Sequence, residues 1–386
     1  MKSAFLITFL VAIYSVSPLA AREPETARPN AKEDFLTIID TNFGKWDGDA
    51  NGELSMSELD VLVADSRITG DVASAVAALK RASRSRKVAI PPLTSANIHD
   101  LAGREPQKDW SNFPAMFSGG AKRIAAAKRV LFVSGGARLE TVHQGHMGNC
   151  FSLAPLGAIA YGRPDYIVNE MIHELPDGKF EVKFGKETVR VSTPTDSELA
   201  MTATTESDGI WVNVYEKAAG EARNVMKPED EREATGLDAL NRGGSAGTML
   251  AFITGHDMVR FSCKFAKDPK TTPEQFDAKL VELRAALTSA VQEKRLMTCG
   301  TITTKIPGIT PNHAYAVLGY DAGTDNIRCW NPHGDTTKIK GEPGPENGYP
   351  LTDGVFEMPL PVFVKEFSGL AFELLPNPAP STSHPG

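Results

Sequence analysis

One cysteine among the four in this 386-residue chain sits in sequence suited to chemistry. Cys150 follows the run Gln144-Gly145-His146-Met147-Gly148-Asn149 and opens the apolar stretch Phe151-Ser152-Leu153-Ala154-Pro155-Leu156. Packing alone accounts for most free cysteines. A nucleophilic cysteine needs more: the thiolate is the reactive form, and it requires a base and a group that orients the base. Of the eight histidines, His99 and His384 fall in linker-like or tail-like sequence, His173 and His256 in ordinary helix or loop contexts, and His143 and His146 are chain neighbours of Cys150. His313 is different. It opens the strand-like run HAYAVLGYD (313–321), and Asn331 lies near the end of the next such run, NIRCWNP (326–332). Two strands joined by a tight turn would set His313 and Asn331 side by side at one end of a sheet. The imidazole would then take the thiol proton, and Asn331 would accept from the far ring nitrogen and fix its tautomer. A helix beginning at Cys150 would favour negative sulfur. Gln144 is placed to give a side-chain N–H to the oxyanion beside the Cys150 N–H, and losing one such donor costs about 10²–10³ in rate.

A second chemical pattern is DGDANGELSMSE, residues 47–58. Asp47, Asp49 and Asn51 stand at positions 1, 3 and 5 of a twelve-residue loop, with Gly52 at the sharp turn of position 6. Glu53 supplies a backbone carbonyl, Ser55 stands at position 9, and Glu58 is the terminal carboxylate at position 12. This is the pattern of an EF-hand, whose hard oxygen ligands suit Ca²⁺. Phe35, Ile38, Ile39, Phe43 and Trp46 recur at helical spacing before it. After it, a helix capped by Thr69 runs to about Arg84 and lacks spaced carboxylates. It reads as a degenerate half that packs without metal.

The elements that hold these groups follow from patterning. The spacing predicts a short helix over 119–129, a strand at VLFV (130–133), a hairpin turning at Gly185-Lys186, and helices over 208–222 and 273–295. Residues 86–124, with Pro91, Pro92, Pro106 and Pro114, read as a linker. The N-terminus reads as a secretory signal over 1–21: Lys2, an apolar core over 4–16, then Pro18 and small residues. That core is short for a membrane anchor, so the expected product is secreted or periplasmic, with no anchor after signal removal. A net charge of −7 without a basic stripe argues against nucleic-acid partners. Export permits disulfides. With Cys150 free, at most one internal bridge remains, and Cys263–Cys299 is the pairing expected. The end, 376–386, reads as a disordered tail.

At the residues singled out, the sequence resembles the calpain family of papain-like cysteine proteases. QGHMGNCF matches the family's glutamine, glycine, two spacers, glycine, aspartate, cysteine and aromatic, with Asn149 in place of the aspartate. NHAYAVLGYD is similar to its histidine strand, WNPHG to its asparagine segment, and WVNVYEKAAGE and RGGSAGTMLAFITG to the stretches between them. The resemblance covers about 125–375. It implies an α+β, papain-like pair of subdomains, with Cys150 on the helical half and His313 and Asn331 on the sheet half; the loop pattern places a small helical EF-hand region over 33–85 before it. It implies an endopeptidase acting on proteins or peptides through a thioester. Pro155 falls within the nucleophile helix, where only the first turn tolerates proline well. His333 replaces a tryptophan that shields the asparagine–histidine pair, a place Trp330 is near enough to take. The family's calcium sites in the protease core have no matching ligands. Two other functions fit the same residues: an inactive calpain-like binding module, and a transglutaminase-like acyltransferase.

Overall fold

In the computed structural model the described residues are 28–84, 89–104, 112–133, 135–205 and 208–376. The expected signal over 1–21 and all but the first residue of the expected tail lie outside them. The fold is α+β. Among the described residues no helix is long and apolar enough to cross a membrane.

The N-terminal part is helical: α1 Ala31–Trp46, α2 Met56–Ala64, α3 Gly70–Ser83, α4 Ser95–Gly103 and α5 Phe113–Ala126. Phe35 of α1 stacks on Phe113 of α5 with ring centres 5.3 Å apart. Alanines 73, 75, 77 and 78 keep α3 slim enough to be buried on most of its faces. It meets α5 where a Cβ on Gly120 would lie 2.4 Å from Ser74 Oγ. Residues 86–124, read as a linker, carry all of α4 and all but the last two residues of α5. Pro91, Pro92 and Pro114 stand at helix starts instead of breaking a chain. Pro91 and Pro92 precede the cap Thr94, whose hydroxyl accepts from Asn97 N–H, and Pro114 sits in the first turn of α5 behind the cap Asn112.

VLFV forms no strand. Its Val130 carbonyl takes the Ile210 N–H, but no partner strand lies alongside. Beyond it come α6 Cys150–Gly162, the single turn α7 Pro164–Tyr166, and an antiparallel sheet of β1 Ile172–Glu174, β2 Phe180–Phe184 and β3 Glu187–Val191. Four helices follow: α8 Asp196–Met201, α9 Trp211–Val225, α10 Gly236–Leu240 and α11 Ala246–Thr254. The rest is built on a six-stranded antiparallel sheet of β4 Asp257–Ser262, β5 Met297–Thr301, β6 Ala314–Asp321, β7 Asn326–Trp330, β8 Val355–Pro359 and β9 Phe367–Leu374. The spatial order is β4-β9-β5-β6-β7-β8. Alternation along β6 and β7 divides its faces. Ala314, Ala316 and Trp330 turn towards the core containing α6, whereas Tyr315, Val317, Ile327 and Cys329 turn towards α12 Pro273–Gln292 and α13 Leu360–Glu366. The expected Cys263–Cys299 bridge is not formed. All four cysteines are free thiols, and 263, 299 and 329 pack in the core under α12 as small apolar side chains.

Candidate active site

His313 stands immediately before β6 and Asn331 immediately after β7. The antiparallel register, with Ala316 opposite Trp330, brings the two to the same end of the sheet. His313 Nε2 lies 2.8 Å from Asn331 Oδ1. That oxygen also accepts the backbone N–H of His333 at 3.0 Å. A backbone N–H can only donate, so the atom facing both is the amide oxygen and His313 carries its proton on Nε2. The lone pair of Nδ1 is left for the cleft. The ring is further held by an edge contact with Tyr315 and a stack on His333, 4.4 Å between centres.

Cys150 is the first residue of α6. The approach to it is fixed by backbone: Gln144 N–H donates to Pro332 O at 2.7 Å, His143 and Thr204 exchange two bonds at 2.8 Å, and His146 N–H donates to Met201 O. At Gly145 a Cβ would lie 2.2 Å from Thr202 O, so only glycine passes there. Gly148 N–H donates to Asn241 Oδ1 at 2.7 Å. Gln144 Nε2 donates one hydrogen to Met147 O at 2.7 Å, which fixes the amide and leaves its second hydrogen uncommitted. Cys150, Gln144, His313 and His333 all line one cleft of about 900 Å³. The thiol and the His313 ring are not hydrogen-bonded to each other. The N–H groups of Ala314, Phe151 and Cys150 bear on the sulfur.

Residues 121–344 match a family model described as calpain family cysteine protease. The chain belongs to the calpain family of cysteine proteases. No curated protein matches it. The family makes this a cysteine-type peptidase domain whose substrates are proteins or peptides.

The electrostatics of this calpain-family cleft favour uncharged groups. Burial pushes the Cys150 thiol up, against the N–H groups that favour thiolate. Burial pushes His313 down to about 3, with the neighbouring His333 adding to the shift and the bond to Asn331 opposing it. Trp330 does not cover the histidine–asparagine pair. Its ring lies against α6, 2.3 Å from where a Cβ on Gly157 would stand, and its Nε1 donates to Asp353 O. His333 does the covering. Pro155 sits in the second turn of a helix that continues to Gly162, at the loss of one bond to the Phe151 carbonyl.

Sequence reasoning passed over Glu216. It is fully buried on α9, where its Oε1 accepts from Asn149 Nδ2 at 2.5 Å and its Oε2 from Ala203 N–H at 2.7 Å. Burial pushes this carboxyl up to about 7, against both bonds and the Arg123 charge. It ties Asn149, the residue before Cys150, to the segment leaving α8. The available signal was an acid between Val212 and Gly220 on the apolar face of an amphipathic helix.

In the loop between α1 and α2, carboxylate oxygens of Asp47, Asp49 and Glu58 lie within 4.8 Å of one another. Gly52, at φ +85°, donates its N–H to Asp47 Oδ2 at 2.8 Å. Asn51 turns its amide nitrogen to Asp49 and accepts the Glu53 N–H on its oxygen. Ser55 caps α2, and Ser55 and Gly48 N–H groups donate to Glu58, holding that carboxyl below its usual range. Three oxygen donors converge on one centre in a turned loop, which fits a hard divalent cation. Leu54 N–H donates to Leu93 O at 3.1 Å, and each of these leucines precedes the cap of a helix, Ser55 before α2 and Thr94 before α4. The start of α4 is thus tied by backbone to the end of the 47–58 loop.

Proposed function

We propose that this calpain-family chain is an exported cysteine endopeptidase with Cys150 as nucleophile, His313 as base, Asn331 as the residue that orients the base, and Gln144 as oxyanion donor. The observation that carries the reading is the 2.8 Å bond from His313 Nε2 to Asn331 Oδ1, which leaves Nδ1 free in the cleft that Cys150 also lines. With thiol and imidazole both resting uncharged, Nδ1 takes the proton as sulfur attacks the scissile carbonyl carbon. The oxyanion meets the uncommitted Gln144 N–H and the Cys150 N–H. His313 then gives its proton to the leaving amine, a thioester forms on Cys150, and water attacks it with His313 again as base. The cleft between the α6 side and the six-stranded sheet is the arrangement expected of a papain-like pair of halves. Export rests on Lys2 and the apolar core over 4–16.

The loop over 47–58 is proposed as a Ca²⁺ site of EF-hand type, with Asp47, Asp49 and Glu58 as the carboxylate ligands and Asn51, Glu53 and Ser55 as the further oxygens. Bound there, the ion would neutralise the converging carboxylates. The test of the peptidase is direct. Purified protein lacking residues 1–21 is incubated with an unfolded protein substrate, with calcium or chelator, and the fragments are read by mass spectrometry. Cutting that disappears in Cys150→Ala, with an unchanged melting transition, is expected. Near-normal cutting by that variant would overturn the assignment, and crosslinked product in place of fragments would favour acyl transfer.

A further inference from the structure

We infer that Arg260 selects substrates with an acidic side chain close to the scissile bond, an inference that rests on the peptidase reading above. In a chain of net charge −7, no Asp or Glu is found among the described residues that line the cleft. Its basic side chains are Arg260 and the histidines 146, 313 and 333. Three other arginines are fully committed: Arg163, Arg242 and Arg284 each fork onto one carboxylate, those of Glu373, Glu233 and Asp325. Arg260 ends on two hydroxyls instead, Thr248 Oγ1 at 3.0 Å and Ser245 Oγ at 3.4 Å. The acid on its own face of the β4–β9 pair, Glu373, is taken by Arg163, His256 and the Leu296 N–H. A guanidinium has five N–H donors in a fork that matches a carboxylate, so donors remain for a ligand.

The position suits a substrate side chain. Arg260 lies opposite Ala371 on β9, and a Cβ on Gly247 would stand 2.6 Å from the Ala371 side chain and 3.1 Å from Arg260 Nη1. Gly247 thus lets the guanidinium lie against the start of α11, on the same glycine-rich wall whose Gly244 packs on Phe151, the neighbour of Cys150. An extended peptide advances about 3.3 Å per residue, so a chain laid along this wall brings a side chain within a few residues of the cut to Arg260. Arg223, stacked on Phe151 at 4.6 Å behind the same wall, has no ion pair among the described residues and adds positive potential.

The experiment maps cleavage sites in a proteome-derived peptide library with the full chain, beside Arg260→Gln and Arg260→Glu, and follows with paired fluorogenic peptides that differ only as Glu or Gln at the selected position. The expected result is Asp and Glu enriched at one position within three residues of the cut, a Glu preference of about tenfold in kcat/KM, the size of a hydrogen bond to a charged group, its loss in Arg260→Gln, and a turn to Lys and Arg in Arg260→Glu. That gain cannot come from a misfolded variant. Cutting without acidic enrichment, or enrichment that survives in Arg260→Gln, overturns the role of Arg260 while leaving the peptidase intact. No cutting by the unaltered chain, together with no labelling of Cys150 by a thiol-directed epoxide, overturns the peptidase reading and this inference with it.

Discussion

His313 is held by neighbours that act oppositely on its proton. The bond to Asn331 raises its affinity for a second proton, whereas burial and His333 lower it, and the lowering wins at about 3. His313→Ala should therefore be nearly as damaging to kcat/KM as losing Cys150, since general-base catalysis contributes about 10²–10⁴-fold. Asn331→Ala should cost less, because it orients the base and moves no proton. Equal, mild losses in both would reject the pairing. His333→Phe keeps a ring on His313 but removes a group that can be charged, so His313 should become easier to protonate. The acid limb of kcat/KM against pH, which reports the base of the free enzyme, should then move to higher pH. Stability carries the same signature. An unfolded chain protonates this histidine near 6.5 and the folded one only near 3, so folding free energy should fall as pH drops through that window, by on the order of a few kcal/mol. Denaturant titrations of His313→Gln should show a flatter acid side, and an unchanged slope would remove His313 as the cause.

Helix α6 and strand β7 carry the two sides of the site, and Gly157 sets how closely they meet. A Cβ there would stand 2.3 Å from the Trp330 ring and 3.1 Å from Leu139. Gly157→Ala should thus destabilise the fold by about 1–3 kcal/mol, the usual size of overpacking, and lower kcat by shifting Cys150 against Asn331, one residue past Trp330. A melting curve and a kcat measurement on the same sample check both, and an unaltered kcat would show that the contact does not set the site. The elements themselves were unevenly legible. α3, α9 and α12 stand close to where apolar spacing puts them, and His313 and Asn331 meet because alternation and a short turn suffice to set a hairpin register. VLFV is as apolar as a strand, yet a strand exists only where another chain segment offers its backbone. Proline misleads in 86–124 because it starts helices as readily as it ends linkers. Glu216 was hidden for a different reason: its meaning depends on Asn149 and Ala203, which local periodicity does not connect.

At the scale of the whole molecule, the acidic loop and the peptidase cleft are joined by packed structure. Glu58 lies in the first turn of α2, and α2 ends near Val63, whose carbonyl accepts the hydroxyl of Thr195, the cap of α8, at 2.6 Å. Lys80 of α3 reaches Asp60 of α2 and Asp238 of α10, and Gly70 N–H donates to Asp196 of α8. Met201, the last residue of α8, takes the His146 N–H, and Thr204 brackets His143. The N-terminal helices thus hold α8, and the end of α8 holds the segment that carries Gln144. Neutralising the carboxylates of Asp47, Asp49 and Glu58 with Ca²⁺ should stiffen this route. Extracellular EF-hand modules bind at about 10⁻⁴–10⁻³ M, and where calcium is abundant such a site stays filled. The expected role is therefore structural. Chelator, or Glu58→Gln, should lower the melting temperature and the cutting rate together, and saturating calcium should restore both in the unaltered chain but only partly in the variant. Titrating calcium while following helix content and peptidase rate distinguishes the cases. Parallel, shallow rises in both support a structural ion, whereas a steep, Glu58-dependent rise in rate at micromolar calcium, with helix content already complete, would make the loop a switch.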